Sequence, residues 1–133
     1  MPVINSQTLR ISEFFRMLDS EEELTLAEDV QQEIRLSRDF LERKIQTASR
    51  PIYGINTGFG ELCREEISFE DLDQLQINLV RSHACGVGRT MPERISRMML
   101  LLKIIGFRSG HSAASPGLVQ ALLDFYNAGA NLR

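Results

Sequence analysis

The sequence predicts a mainly α-helical chain, with residues 1–133 forming a single helical domain. Three observations support this prediction. Apolar residues recur at helical spacing in several segments, helix-start signals precede those segments, and no alternating strand pattern of useful length is present. A chain of 133 residues can bury one core of useful but limited size.

The first part of the chain carries two helical segments. A short helix is predicted over residues 11–18, with Ser12 as its N-cap. A longer helix is expected to begin at Thr25, because Thr25 and Glu28 have the spacing of a capping box, and to end before Pro51. Its apolar residues recur every three, four or seven positions and predict one buried face: Ala27, Val30, Ile34, Leu41 and Ile45.

The next helix is predicted to begin at Ser68 and Asp71 and to end at Gly86 and Gly88. One side of it carries residues at helical spacing: Leu72, Leu75, Gln76, Leu79, Val80 and His83. His83 has two interpretations. A lone histidine on such a stripe is either a core or capping residue, or a side chain that meets a ligand.

Two helices are predicted after residue 90. The first has Pro92 in its first turn, and its apolar residues cover more than one face, so we expect it to be buried on several sides. Those residues are Ile95, Met98, Met99, Leu102 and Ile105. Ser115 and Pro116 open the last helix, and Gly129 ends it. Its apolar positions are Val119, Leu122, Leu123 and Tyr126.

The composition restricts the class of protein and of partner. With 43% apolar residues, 25% charged residues and a net charge of −3, the chain is typical of an ordinary globular protein. Its basic residues are scattered, which argues against nucleic acid as a partner. No N-terminal run resembles a signal peptide, and the longest apolar run, residues 98–102, is too short to span a membrane. We therefore expect a cytoplasmic protein with no membrane partner.

The two cysteines, Cys63 and Cys85, do not make a disulfide framework, which is typical of a reducing compartment. Together with His83 and His111 they are the soft metal ligands available, but they show no paired short spacing. We therefore predict no metal site. Cys85 is interpreted as a small buried apolar residue.

A glycine-rich loop is predicted at residues 51–62, around Tyr53. Its small and polar residues disfavour a regular helix or strand: Gly54, Asn56, Thr57, Gly58 and Gly60. One interpretation is a surface turn with Tyr53 and Phe59 packed into a core. The other places the phenol beside backbone that closes over a ligand. A phenol acts as a base only where positive charge or hydrogen-bond donors favour its anion, and backbone N–H groups of the loop are candidate donors.

Three motifs, in order along the chain, resemble those of one family. Y-G-I-N-T-G-F-G at residues 53–60 resembles the tyrosine loop of the aromatic amino acid ammonia-lyases, the histidine and phenylalanine ammonia-lyase family. Residues 75–88 resemble its L-Q-x-N-L-V-x-S-H-A-x-G-V-G segment, and residues 98–104 resemble its M-M-L-L-L-K-I helix. The resemblance runs from about Leu24 to the C-terminus. The Ser-His pair at residues 82–83 points to the histidine ammonia-lyase branch.

The resemblance implies a fold and a function. It implies the N-terminal helical domain of the fumarase/aspartase-like ammonia-lyase fold, truncated before the central helical bundle, in a protein that forms homo-oligomers. The reaction it implies is elimination of ammonia from L-histidine to give urocanate. By the same resemblance, Tyr53 is the catalytic base that removes the β-proton of the amino acid substrate, and Ser82 and His83 face its side chain. The imidazole of His83 and that of a histidine substrate can form a hydrogen bond, because one ring donates while the other accepts.

The chain also departs from the family. Those enzymes make their electrophile, a methylidene-imidazolone, by cyclising an Ala-Ser-Gly tripeptide, and this chain contains none. We expect the tripeptide shortly beyond Arg133, so the chain holds no cofactor of its own and is predicted to be inactive alone. The family's R-G-x-S-G is also changed, because residues 109–113 read S-G-H-S-A and Arg108 lies one position early.

Other functions remain open from the residues alone. The chain could be a catalytically inert helical interaction domain that keeps the ancestral motifs. Within the family, it could belong to a phenylalanine or tyrosine ammonia-lyase, or to an aminomutase, which uses the same electrophile and base.

Overall fold

The computed structural model of this chain describes residues 1–47, 50, 52–58, 60 and 67–129. Its elements in chain order are β1 (Val3–Ile4), α1 (Ile11–Leu18), β2 (Thr25–Leu26), α2 (Glu28–Thr47), a 3₁₀ turn (Phe69–Asp71), α3 (Leu72–His83), α4 (Glu93–Phe107) and α5 (Pro116–Asn127). The prediction of a mainly α-helical chain is therefore confirmed. In the described ranges, no helix combines the length and the apolar character needed to cross a membrane.

The chain divides into two compact units. Unit 1 comprises Met1–Leu41 and Thr90–Arg133, and unit 2 comprises Glu42–Arg89. Unit 1 thus contains the two short strands and the helices α1, α4 and α5, together with the first part of α2. Unit 2 contains the predicted tyrosine loop and α3.

Two predicted N-caps in unit 1 were wrong. The N-cap position of α1 is Arg10 rather than Ser12, and the Arg10 N–H donates to Oε2 of Glu13 at 2.8 Å. Thr25 does not cap α2, because it lies in β2, which pairs in parallel with β1 in the register Val3 to Thr25. A backbone that is committed to this ladder is extended and cannot enter the helix until Glu28.

The core of unit 1 is formed mainly by α1, α4, α5 and the segment around β2. Leu101 and Ile104 of α4 are completely buried at its centre. The other members of the main cluster are Ile4, Phe14, Met17, Leu18, Leu24, Leu100, Leu123 and Tyr126. A second cluster joins α2 to α4 and α5 through Val30, Ile34, Phe107 and Val119.

The prediction that α4 is buried on several sides was wrong. Ile95, Met99 and Leu102 are 45%, 52% and 52% exposed, respectively. The buried residues of α4 are Ser96, Leu100, Leu101, Ile104 and Phe107. Because α4 is apolar nearly all round, its periodicity could not select which face packs, and contacts with α1 and α5 selected it. One apolar stripe of α4 therefore remains on the surface of unit 1.

Hydrogen bonds tie the start of unit 1 to its end. The Asn127 amide pairs with both backbone groups of Leu24: Nδ2 donates to the carbonyl and Oδ1 accepts from the N–H, each at 2.9 Å. The Tyr126 hydroxyl donates to the Met17 carbonyl at 3.3 Å, and the Arg97 guanidinium lies 4.5 Å from the Tyr126 ring centroid. Burial raises the pKa of the Tyr126 phenol. These side chains therefore act in the core.

The turn between α4 and α5 contains two residues in the left-handed backbone region. Gly110 has φ +67° and Ala113 has φ +47°. The Gly110 carbonyl accepts a hydrogen bond from the Ser37 hydroxyl, and a Cβ at Gly110 would lie 3.0 Å from atoms of the Glu33 side chain. This turn coincides with the altered S-G-H-S-A motif, in which Ala113 stands where the resembled family pattern has glycine.

We expect opposite effects on stability from two substitutions in this turn. Gly110→Ala should lower the free energy of unfolding by about 1–2 kcal/mol, because a left-handed L-residue is strained and Glu33 is close. Ala113→Gly should raise it by up to about 1 kcal/mol, because relieved strain outweighs the greater chain entropy of glycine. Urea unfolding followed by circular dichroism measures both variants. If both substitutions changed the free energy of unfolding in the same direction, the left-handed backbone angle would not explain their effects.

Candidate functional site

Tyr53 lies on a tight turn in unit 2. The Ile52 carbonyl accepts a hydrogen bond from the Ile55 N–H at 3.0 Å, which places Tyr53 and Gly54 at the two central positions. Gly54 has φ +75°, the value that the third residue of a type II turn requires and that glycine adopts without strain. Tyr53 is 64% exposed, so the interpretation as a core tyrosine is wrong.

Two polar side chains close this turn. Oδ1 of Asn56 accepts from the Ile52 N–H at 2.6 Å. Oγ1 of Thr57 accepts from the Gly54 N–H at 3.2 Å and donates to the Gly58 carbonyl at 2.9 Å. Thr57 and Gly58 are buried, whereas Tyr53 on the turn before them is exposed. Asn56 and Thr57 are therefore structural residues that hold the shape of the loop.

Several backbone N–H groups of the loop are hydrogen-bonded to acceptors in the same loop. Among the loop residues that the structure describes, four donate a backbone N–H to an acceptor within the loop: Ile52, Gly54, Ile55 and Asn56. These donors are therefore not available to a tyrosinate at Tyr53. The sequence pattern offered the loop's N–H groups as candidate stabilisers of that anion, and for these four the structure shows another use.

Part of the predicted loop lies outside the described residues. Gly60 is described, is exposed and has φ +59°. The predicted positions outside the described residues are Pro51, Phe59, Glu61 and Leu62, and Ala48, Ser49 and Cys63 lie outside them as well.

Helix α3 begins close to where the sequence predicts. The Ser68 hydroxyl donates to Oδ2 of Asp71 at 2.7 Å, and the 3₁₀ turn leads directly into Leu72. None of the twelve residues of α3 is buried, and the predicted stripe is at most half-buried. His83 is exposed at the last position of the helix, so it is not a core histidine. The contact of its ring with a carbonyl of the last turn fits the capping interpretation.

Ser82 and His83 meet at one backbone carbonyl, that of Leu79. The Ser82 hydroxyl donates to this carbonyl at 2.9 Å, and Nδ1 of His83 lies 2.9 Å from the same oxygen. Oγ of Ser82 and Nδ1 of His83 are 3.0 Å apart. The structure thus brings the two predicted side chains together, while Tyr53 lies on a separate segment of unit 2. Sequence reasoning placed Leu79 on the helix stripe but missed the role of its carbonyl, because a main-chain group leaves no signal in residue identity.

Two other residues singled out in the sequence lie elsewhere. Cys85 is exposed beyond the end of α3, so its interpretation as a buried apolar residue was wrong. Arg108 follows α4 and lines a cavity of about 280 Å³ in unit 1, together with Arg16 and Glu13. Within the part of the chain that the structure describes, no three His, Cys, Asp or Glu side chains gather closely enough to hold a metal ion.

Sequence comparison connects the chain to known proteins. A family model described as aromatic amino acid lyase matches residues 9–131. The histidine ammonia-lyase of Geobacillus thermodenitrificans is 41% identical over 129 residues, which cover 97% of this chain and 25% of that protein. The histidine ammonia-lyase of Bacillus subtilis is 39% identical over 127 residues, which cover 96% of this chain and 25% of that protein. The chain therefore spans about a quarter of the length of these curated relatives.

Solved structures share the fold. The phenylalanine aminomutase of Pantoea agglomerans matches with a TM-score of 0.87 at 27% identity, over 97% of this chain and 25% of that one. The histidine ammonia-lyase of Trypanosoma cruzi matches with a TM-score of 0.79 at 28% identity, over 96% of this chain and 24% of that one. Both likenesses include the two compact units described above, since they cover nearly the whole chain.

Proposed function

Because this chain belongs to the aromatic amino acid lyase family, we propose that it is the N-terminal part of an enzyme that eliminates ammonia from L-histidine. The family and the ammonia-lyase fold inferred from the motifs are confirmed. The single observation that carries the choice of histidine is the exposed Ser82–His83 pair at the end of α3. The product would be urocanate, formed in the reducing cytoplasm.

Tyr53 is the proposed general base. Its ring is exposed on a turn that Asn56 and Thr57 hold in place, so the phenol is presented in a defined position. Tyr53 Oη takes the proton from Cβ of the substrate, the C–H electrons form the Cα–Cβ double bond, and the Cα–N bond breaks to release ammonia. Because four loop N–H groups are occupied, stabilisation of the tyrosinate comes from other parts of the protein.

His83 is the proposed contact to the substrate side chain. Its ring is exposed, and its Nδ1 is held at the Leu79 carbonyl, so the ring is oriented with Nε2 available to a ligand. An imidazole–imidazole hydrogen bond is favourable because one neutral ring can donate while the other accepts. A phenyl ring offers neither group, and His83 therefore favours histidine over phenylalanine.

This chain does not contain the residues that form the family's cofactor. When present, a methylidene-imidazolone supplies the electrophile that makes the substrate's ammonium a leaving group. The nearest described match to its Ala-Ser-Gly precursor is Ala114-Ser115-Pro116, which does not fit. Ser115 is the N-cap of α5 and accepts from the Leu118 N–H at 3.2 Å, and Pro116 has no backbone N–H. The chain's contribution is therefore the base and the substrate-side residues.

A chimera tests the proposal. Residues 1–133 would replace the matching quarter of the Geobacillus thermodenitrificans histidine ammonia-lyase, and urocanate absorbance would be followed with L-histidine. We expect turnover by the chimera and none by the 133-residue chain, because the chain has a base but no electrophile. Turnover by the purified chain alone would contradict the proposed division of roles. An inert chimera of the relative's oligomeric size would contradict the proposed function.

Two alternatives have specific support. The likeness to an aminomutase structure is consistent with a chain from an aminomutase, which would convert its substrate to a β-amino acid instead of releasing ammonia. The exposed apolar stripe of α4 is consistent with an inert interaction domain. The coding sequence downstream of Arg133 separates enzyme from inert domain, since an in-frame Ala-Ser-Gly supports an enzyme and a stop codon supports the inert domain.

We also propose that the chain self-associates through α4 and α5. The exposed residues of the α4 stripe are Ile95, Met99 and Leu102, and α5 adds Leu118 and Phe125 at 49% and 55% exposure. The spacing of Ile95, Met99 and Leu102 puts these three on one face of α4, and exposed apolar side chains that lie together usually mark an interface. Size-exclusion chromatography with light scattering over a dilution series should give a mass above 15.1 kDa that falls on dilution.

Matched variants locate this interface. Met99→Lys should shift the mass towards the monomer, because a charge would enter the apolar contact. Val87→Lys, at a residue that is 99% exposed in unit 2, should leave the mass unchanged. A monodisperse monomer of the unaltered chain at high concentration would show that these helices are not an interface.

A further inference from the structure

We infer that Ser82 is a positioning residue whose hydroxyl, together with the Leu79 carbonyl, fixes His83 in the neutral tautomer with its proton on Nδ1. In that tautomer Nε2 accepts a hydrogen bond and cannot donate one. The inference rests on the proposed function for its consequence in catalysis. The tautomer itself follows from the three contacts among Ser82, His83 and Leu79.

The Leu79 carbonyl determines the proton on Nδ1. A carbonyl oxygen can only accept, and it lies 2.9 Å from Nδ1. A deprotonated Nδ1 at that distance would set two lone pairs against each other. The contact is a hydrogen bond only when Nδ1 carries the proton, and the hydrogen bond at one ring nitrogen sets the state of the other.

The Ser82 hydroxyl reinforces this assignment. Its proton is used in the 2.9 Å hydrogen bond to Leu79, so Oγ turns a lone pair towards Nδ1 at 3.0 Å. Within the described ranges, Nδ1 therefore has two acceptors beside it and no donor. If the hydroxyl pointed at Nδ1 instead, that nitrogen would lose its proton and the contact to Leu79 would become repulsive.

With the proton on Nδ1, the other ring nitrogen, Nε2, can only accept a hydrogen bond. Among the described residues it has no hydrogen-bond partner, and the His83 side chain is exposed. As an obligate acceptor, Nε2 selects a ligand whose side chain presents an N–H or O–H. The imidazole of histidine does so and a phenyl ring does not. A polar group built to bond its ligand discriminates strongly against an analogue that leaves it unpaired.

Nitrogen-15 NMR of the 133-residue chain tests the tautomer directly, at a pH where both histidines are neutral. Two-bond correlations from the ring protons distinguish a protonated from an unprotonated ring nitrogen. We expect His83 to be protonated at Nδ1 in the unaltered chain. Ser82→Ala should raise the population with the proton on Nε2, and Ser82→Thr, which keeps the hydroxyl, should restore the original state.

His111 is the internal control, because it is the only other histidine and lies in unit 1. Its ring shifts should be the same in all three proteins. The backbone amide spectrum reports whether each variant is folded, and truncation of the exposed Ser82 leaves no cavity. His83 protonated at Nε2 in the unaltered chain would overturn the inference. A tautomer that is unchanged in Ser82→Ala would overturn the role of Ser82.

Kinetics of the chimera separate this inference from the proposed function. Ser82→Ala should raise KM for histidine roughly three- to tenfold with a smaller change in kcat, the loss expected for one hydrogen-bonded contact in binding. Ser82→Thr should recover it. A chimera that turns over histidine while Ser82→Ala leaves the tautomer and KM unchanged would overturn only the inference. An inert chimera would overturn the proposed function, and the NMR result would still decide the tautomer.

Discussion

Replacing Tyr53 by phenylalanine in the chimera should lower kcat for ammonia release from L-histidine by about a hundred- to ten-thousand-fold, the usual loss on removing a general base. Phenylalanine keeps the ring but has no oxygen to take the β-proton. The turn itself should survive, because its closing hydrogen bonds come from Asn56, Thr57 and the backbone. Steady-state kinetics with urocanate absorbance measures the effect. Near-normal kcat would remove Tyr53 from the chemistry.

The chain offers a matched control for this substitution. Tyr126 is its only other tyrosine, and it is buried, with its hydroxyl donating to Met17. Tyr126→Phe should lower the free energy of unfolding by about 0.5–1.5 kcal/mol, the net contribution of one hydrogen bond. It should leave kcat unchanged in protein that remains folded. The same chemical change thus acts on catalysis at one site and on stability at the other.

Exchanging Ser82-His83 for His-Leu should invert the substrate preference of the chimera. Leucine at residue 83 has no acceptor for an imidazole N–H, and histidine at residue 82 lies about 100° further round the helix. Leaving that N–H unpaired costs about 1–3 kcal/mol, so kcat/KM for histidine should fall roughly 5- to 150-fold. Activity on tyrosine should rise, because an aliphatic side chain at residue 83 can pack against an aromatic ring without leaving a hydrogen-bonding group of its own unpaired.

Competition kinetics with histidine and tyrosine measures this preference. The control is Gln74→Ala, which removes another exposed hydrogen bond of α3, the one from Gln74 Nε2 to Asn78 Oδ1 at 2.8 Å. It should leave the preference unchanged. If the His-Leu variant also kept the original preference, the pair would not line the substrate site.

Local signals in the sequence were enough for several elements. The bounds of α1 and the start of α5 agree with prediction, since they follow from a short amphipathic run and from Ser115 with Pro116. The packed face of α4 and the true start of α2 were not predictable in this way. The first depends on which neighbours cover an apolar helix, and the second on pairing with residues 3–4, more than twenty positions away.

The candidate site shows the same division. Residue identity and spacing located Tyr53, Ser82 and His83. They did not show that the loop's backbone donors are occupied or that one carbonyl organises the Ser-His pair. Backbone groups are common to every residue, and their directions depend on the folded geometry. Sequence therefore identified the reactive side chains, and the structure assigned their hydrogen-bonding states.

The pairing of Leu24 with Asn127 bears on how the chain folds. These partners are 103 residues apart, and the Tyr126 hydroxyl meets a carbonyl 109 residues away. At a synthesis rate of about 5–20 residues per second, the segment that completes the core of residues 1–41 is therefore made several seconds after them. The polypeptide between them, which carries Tyr53 and His83, is made before that core can close. Since doubling a closed loop costs only about 0.6 kcal/mol, this intervening polypeptide can lengthen or shorten during evolution with little effect on the stability of unit 1.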